Sequence, residues 1–529
     1  MQHINCDPHY PKPEKCCNCH RCTRYFSQDK IVGNRIDNYR LWAAKVGLKE
    51  KQHQLVGIKW CLYQELCLKP QANVHGGIIA DEMGLGKTII MLACIRCNFK
   101  PKTLIVLPPA LIEQWVQIFK RFLGHKPFVF RGTKANKINI EELSQKPIVI
   151  TSYGMISTRY DKSGEPMLNK LHKIEWDRVI YDEAHHVRNL KTSVHDGACK
   201  IKSSITWMVT GTPINNKLTD LYALLKVMGL PMNKNKEEMK LLLGMFLLRR
   251  TKKAVGIKLP PIKEHRIQVD WETPEERGMA EDIHTTMHFA EVNKENVNQI
   301  ISWMSRHPLA ALTRARQMCI YPQLLHKALE NMKKSGIIPE RLNLGEITNS
   351  SKINAIINTL KKAKGNGRRK LIFAHYRGEI DILMERLKKE GITYQAVDGR
   401  TKAKERKFAI MKPPNAAEFN SVCKAWSTSE DDIFNKINAF LAPEVLIVQI
   451  QTACEGLNLQ HFTDIYFTSP HWNPAVEDQA IARAHRIGQR THVNVYKFTM
   501  KSLGPRSMSF EEYCCQVQDF KREIMQIVN

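Results

Sequence analysis

GIIADEMGLGKTII, residues 77–90, joins a short apolar run to a glycine-punctuated loop that closes in Gly-Lys-Thr. The ending is that of a phosphate-binding loop, whose backbone N–H groups wrap phosphate oxygens at a helix start, where unpaired donors and the helix dipole favour an anion. The strict pattern G-x-x-x-x-G-K-[ST] asks for glycine at 81, however, and this chain has aspartate there. In a strand–loop–helix setting the N–H groups of Gly84 to Thr88, Gly86 among them, would cradle phosphates. Lys87 would reach the β- and γ-phosphates of a nucleotide, and Thr88 would hold Mg²⁺.

A second stretch, YDEAHH at 181–186, supplies what such a loop lacks. Asp182 and Glu183 end an apolar run, at the place where open α/β sheets put their chemistry. Asp182 suits a Mg²⁺ ligand, directly or through water, and Glu183 can orient or deprotonate an attacking water.

Working outward, apolar β-branched runs recur at 76–80, 103–109, 147–153, 176–186 and 205–213, separated by longer segments of helical spacing. This is the βαβ rhythm of a parallel sheet covered by helices. It returns at 370–376, 392–399, 444–453, 464–470 and 493–498, so an α/β fold of two tandem doubly wound lobes is expected. The expected division is a Cys/His-rich segment (1–30), a first lobe (31–245), a helical protrusion and inter-lobe connection (246–345), a second lobe (346–500) and a final helix (501–529). Residues 405–440 read as an insertion. Tyr513, Val517, Phe520 and Ile524, spaced four, three and four, give that final helix an apolar stripe suited to bracing the lobes.

The 529 residues carry a net charge of +28, an imbalance that attracts polyanions such as nucleic acid through counterion release. The first residues lack the apolar core of a signal peptide, and no run approaches the ~18 apolar residues of a membrane span. An intracellular protein without a membrane partner is expected, its fifteen cysteines serving as thiols or metal ligands rather than disulfides. In HINCDPHYPKPEKCCNCHRC (3–22), Cys6, His9, Cys16, Cys19 and Cys22 have spacings that could close a structural Zn²⁺ site; free thiols in a tail are the other reading.

DEMGLGKT (81–88), DEAH (182–185), TGTPINN (210–216) and QAIARAHRIGQ (479–489), in this order, resemble the Swi/Snf-type ATPases of helicase superfamily two, over about residues 48 to 525. That family carries aspartate where the strict pattern has glycine, and its lobes are RecA-like. The resemblance implies ATP and Mg²⁺ as ligands, with Gln54 contacting adenine and Asp81, Gly84, Gly86, Lys87, Thr88, Asp182 and Gln479 around the nucleotide. Lys87, Asp182, Glu183, Arg483 and Arg486 would carry catalysis, the two arginines coming from the second lobe. It further implies that 107–115, 151–154, 398–401 and 451–459 include DNA-holding and coupling segments, and that Thr210, Gly211 and Thr212 link hydrolysis to lobe movement. Arg249, Arg250, Lys252 and Lys253 read as a cation cluster gripping DNA. Two departures stand out: Cys454-Glu455 precedes Gly456 where the family has adjacent glycines, and His375-Tyr376 replaces its more usual Ser-Gln.

Together these features imply a monomeric ATP-dependent motor on double-stranded DNA. It would remodel or displace DNA-bound protein, nucleosomes included, in a nucleus or at a cytoplasmic site of viral transcription or replication. A strand-separating helicase on the same lobes, or a non-catalytic DNA-binding scaffold, are the alternatives.

Overall fold

The computed structural model describes residues 20–66, 74–212, 218–230, 236–287, 309–325, 349–401, 443–453, 458–504 and 507–527. The chain divides between Lys258 and Leu259 into two compact units, each built on one parallel sheet.

The first sheet contains β1 (His75–Ile79), β2 (Thr103–Leu107), β3 (Phe128–Val129), β4 (Ile148–Ser152), β7 (Trp176–Asp182), β8 (Ser203–Val209) and β9 (Leu247–Leu248), while β5 (Arg159–Tyr160) and β6 (Pro166–Met167) form a separate two-stranded ribbon. Its order is β3-β4-β2-β7-β8-β1-β9, and every pairing is parallel. All five residues of β2 and of β4 are buried, as strands covered on both faces must be. One covering layer holds α1 (His20–Lys45), α2 (Gln52–Leu66), α3 (Lys87–Cys97) and α4 (Ile112–Leu123). There Tyr39, Ile58, Leu62, Met91, Trp115 and Phe119 pack on Ile105, Ile150 and Ile180 of the sheet. A fully buried ion pair pins this layer: Arg178 of β7 grips Glu65 of α2, which also accepts from Trp207 (2.9 Å) and Asn98 (2.6 Å). Burial raises the Glu65 pKa, but Arg178, Trp207 and Asn98 together outweigh it and hold the carboxyl below its ordinary range. Cys94 is buried on α3 as a packing residue.

The second sheet contains β10 (Ile262–Val269), β11 (Lys370–Ala374), β12 (Tyr394–Val397), β13 (Val445–Gln449), β14 (Asp464–Phe467) and β15 (Val493–Met500), in the order β10-β15-β14-β11-β13-β12, again wholly parallel. Alternate residues feed two cores. Ile372, Ile447, Tyr466 and Phe498 face one, and Leu371, Phe373, Leu446, Val448, Ile465 and Val495 face the other. The first core takes in the helices Ser351–Lys362, Arg377–Lys389 and Phe510–Ile527, the last contributing Phe510, Tyr513, Cys514 and Val517.

All ten apolar runs singled out in the sequence contain strands, and the fold is the tandem parallel α/β architecture expected. Residues 262–269 differ from expectation: they lie in the stretch read as helical connection, yet form a full strand of the second sheet. Their side chains are exposed except Ile267 and Val269, so this edge strand has no apolar run to announce it. β3 and β9, of two residues each, gave no signal either. Cys6, His9, Cys16 and Cys19, the insertion at 405–440 and Cys454-Glu455 lie outside the described residues. Cys22 falls on α1. Among the described residues no cluster of three or more His, Cys, Asp or Glu could hold a metal, and no helix is long and apolar enough to cross a membrane.

Candidate active site

Three neighbouring strands of the first sheet end side by side: β7 at Asp182, β8 before Thr210 and Gly211, and β1 before Ala80 and the phosphate loop. The loop turns on Gly84 (φ 91°) and Gly86 (φ 86°), in the left-handed region that glycine enters without steric cost, and α3 begins at Lys87. Gly86 is constrained twice, because a Cβ there would lie 2.2 Å from Gln54 Nε2. The Gln54 amide, almost wholly buried, donates to Leu85 O (3.2 Å), and the His53 ring meets the same carbonyl (3.0 Å). The structure thus sets Gln54 against the loop that carries Gly84 and Gly86 and runs into Lys87 and Thr88 at the start of α3. Lys87 Nζ donates to Asp81 O (2.7 Å), and a Cβ on Gly211 would come within 3.5 Å of that ammonium.

The Asp81 side chain is engaged within the protein. Its fully buried carboxylate takes a two-pronged grip from Arg250, Nε to Oδ1 at 3.0 Å and Nη2 to Oδ2, while Arg250 Nη1 donates to His53 O. Next to it, Glu82 accepts from Lys252 N (2.7 Å) and pairs with Lys252 Nζ (3.0 Å). Two of the four cations read as a DNA grip thus turn inward onto the phosphate loop. The departure from glycine at 81 was the available signal, since a buried carboxylate requires a counter-charge.

At the end of β7, Asp182 is held by two residues whose segments the resemblance assigned to DNA. Trp115 Nε1 donates to Asp182 Oδ2 (2.7 Å), and the Tyr153 hydroxyl donates to Asp182 O (2.7 Å). Both side chains are buried; Pro109, Ala110, Glu113, Gln114 and Gly154 are the exposed members of those segments. Burial, then the Glu183 charge, pushes the Asp182 pKa up to about 6, while Trp115 and Lys87 pull the other way. Glu183 is the one non-glycine residue of positive φ (52°) among those described. Its carboxylate lies 3.4 Å from the His185 ring, which stacks on His186, itself stacked on Tyr153. Burial, then His185, pushes the His186 pKa down to about 4, so this ring is neutral near pH 7.

The donor set suits Mg²⁺-ATP: the left-handed glycines shape the loop, Lys87 rests on a carbonyl, and Asp182 is a buried carboxylate that a cation would relieve.

Gln479, Arg483 and Arg486 belong to the second unit, on and just after the helix Pro474–Ala484. Gln479 is buried. The segment behind them is fixed by Leu459 N to Arg483 O (3.1 Å), by Gln460 on Ile487 O and by Gly488 at φ 102°. Burial, then the Arg483 charge, lowers the Arg486 pKa, and among the described residues no acidic side chain pairs with Arg486. In 398–401, Arg400 is engaged by Asp381 (2.7 Å) and Asp398 (2.6 Å) of its own unit. His375 Nε2 donates to Ser469 O (3.0 Å), and the ring stacks on His471.

The SNF2-related domain model matches residues 53–324 and the helicase conserved C-terminal domain model matches 425–488. An uncharacterized ATP-dependent helicase of Mycoplasma genitalium is 26% identical over 497 residues, covering 90% of this chain and 42% of that protein. A probable global transactivator of Orgyia pseudotsugata multicapsid polyhedrosis virus is 26% identical over 492 residues, 89% of each chain. The human SWI/SNF-related matrix-associated actin-dependent regulator of chromatin subfamily A member 1 is 27% identical over 487 residues, 84% of this chain and 41% of that protein. The chain thus spans about two fifths of the mycoplasmal and human proteins but most of the viral one.

Proposed function

We propose, from the premise that this chain belongs to the SNF2-related family, that it is an ATP-dependent translocase on double-stranded DNA that remodels or displaces DNA-bound protein, nucleosomes among the candidates. The observation that carries the reading is the phosphate loop joining β1 to α3, with Lys87 beside Gly211, on the sheet whose strand β7 ends at Asp182. ATP and Mg²⁺ are its ligands, the nucleotide bringing the bond to be broken and a divalent charge on its phosphates. Gln54 borders the base side of the site, Gly84 to Thr88 hold phosphates through backbone amides, and Lys87 exchanges the Asp81 carbonyl for phosphate oxygens. Thr88 and Asp182 would hold the metal, which would supply charge to the phosphates, and Glu183 would take a proton from the attacking water.

Arg483 and Arg486 of the second unit neutralise charge developing in the transition state. Those arginines and the phosphate loop belong to different units, so their joint use would couple hydrolysis to work along a duplex. The +28 charge supports a phosphate-following, sequence-indifferent track. The place of action would be a nucleus or a site of viral DNA transcription or replication.

Hydrolysis should rise on addition of duplex DNA and fall steeply with salt, because the grip rests on many cation–phosphate contacts. A coupled ATPase assay across a salt series checks this. Equal stimulation by single-stranded RNA would favour a helicase of another kind.

A further inference from the structure

We infer that Arg250 is a positioning residue for the phosphate loop, acting through Asp81 on Lys87, so that Asp81 and Arg250 form one functional unit. The inference rests on the ATPase reading above and deepens it.

The guanidinium meets three demands at once. Nε and Nη2 fork onto the Asp81 carboxylate, and Nη1 takes His53 O, the carbonyl preceding Gln54. Helix α2 makes room for it: a Cβ on Gly57 would lie 2.8 Å from Arg250 Nη2, so an otherwise unfavourable helix glycine is explained by the arginine. The backbone repeats the connection, with Ala80 N on Leu248 O (2.7 Å) and Glu82 N on Arg250 O (2.9 Å), extending the β1–β9 pairing into the loop. Lys252 then closes on Glu82. Residues 248–252 are a strap laid along 80–82. What the strap fixes is the carbonyl of Asp81, and that carbonyl holds the Lys87 ammonium. Displacing Asp81 therefore displaces the lysine, and the His53–Leu85 and Gln54–Leu85 contacts move with it.

The competing role for Arg250 is as one DNA cation in a basic cluster. The two roles differ in what they ask of the side chain. A phosphate contact is served by any flexible positive charge, whereas the fork on a carboxylate plus a third acceptor needs the planar guanidinium. Arg250 is also largely covered, its side chain 14% exposed, and its partner acid is wholly buried.

The test uses the full chain with Arg250→Lys, Asp81→Gly, and a cycle of Asp81→Asn, Arg250→Gln and their double variant. Readouts are kcat and KM for duplex-stimulated ATP hydrolysis, affinity for a fluorescent ATP analogue, duplex affinity with its salt slope, and melting temperature. Arg250→Lys should melt near wild type, bind duplex with unchanged affinity and slope, and lose up to about 10²-fold in kcat/KM for ATP, the scale of an ångström-sized misplacement. Asp81→Gly restores the strict glycine pattern and should nonetheless weaken ATP binding, because it strands the guanidinium. The double variant should be no worse than the poorer single variant, the signature of a coupled pair.

Wild-type ATP parameters in Arg250→Lys, a duplex affinity that falls with a shallower salt slope, or Asp81→Gly matching wild type would each overturn the inference. If wild type itself fails to hydrolyse ATP, the ATPase reading fails instead. The analogue affinities then still decide for or against Arg250.

Discussion

The phosphate loop and the end of β7 lie on the same sheet and are built in opposite ways. In the loop each difficult requirement is met: left-handed φ falls on Gly84 and Gly86, the Asp81 charge has Arg250, and Lys87 rests on a carbonyl. At the end of β7 the requirements are left standing. Glu183 holds a left-handed φ that costs a non-glycine residue on the order of 1 kcal/mol or more. Asp182 is buried beside it with its ionised form disfavoured. On the proposed function the difference is a division of labour: the part that would hold the nucleotide has its polar groups satisfied, and the part that would react has a disfavoured backbone and a disfavoured charge that a bound cation and a water would relieve.

Substitutions on the two sides should fail differently, and the largest effects separate them most cleanly. Lys87→Ala should lose ATP binding and hydrolysis together. Glu183→Gln should keep nucleotide binding close to wild type and lose about 10³-fold in turnover, within the range for a missing general base. Arg486→Ala, on the other unit, should resemble Glu183→Gln, since a group engaged mainly in the transition state affects kcat more than binding. Single-turnover hydrolysis beside equilibrium binding measures all three. If Glu183→Gln abolished binding as Lys87→Ala does, the division would not hold.

A smaller effect sharpens the contrast through pH. Burial and Glu183 place the Asp182 pKa at about 6 against an ordinary 3.8, so the folded chain keeps this proton to higher pH than the unfolded one. Stability is therefore lost as pH rises through that window, and the loss is complete above it. Asp182→Asn lacks the titration. In EDTA and without nucleotide it should melt a few degrees above wild type at pH 7, roughly 2–4 °C for each kcal/mol relieved. The gap should narrow towards pH 4.5. Thermal unfolding of both proteins across this range checks the sign, and a variant less stable than wild type at pH 7 would show that Asp182 is comfortable as an anion.

Much of this was legible in the sequence. Parallel strands covered on both faces are apolar along nearly their whole length, so runs such as TLIVL (103–107) and VLIVQ (445–449) declared themselves. Gly-Lys-Thr and Asp-Glu pointed to the two halves of the candidate site through their spacing and order, since either alone also occurs as a plain helix start or a turn. What stayed hidden depends on distance and exposure. Arg250 lies 169 positions from Asp81, and nothing local distinguishes it from Arg249 or Lys253. Trp115 and Tyr153 look like members of DNA-holding segments until their polar atoms are seen on Asp182. β10 carries Glu, His, Arg and Gln on an exposed edge and reads as connection.

The most direct test of the motor itself is displacement of a third strand from a DNA triplex flanked by duplex, followed on a native gel with wild type and Glu183→Gln. Wild type should release the third strand only with hydrolysable ATP, Glu183→Gln should not release it, and an ordinary forked duplex should stay paired under the same conditions. Efficient ATP-driven opening of the fork, or triplex release undiminished in Glu183→Gln, would contradict translocation driven by this site.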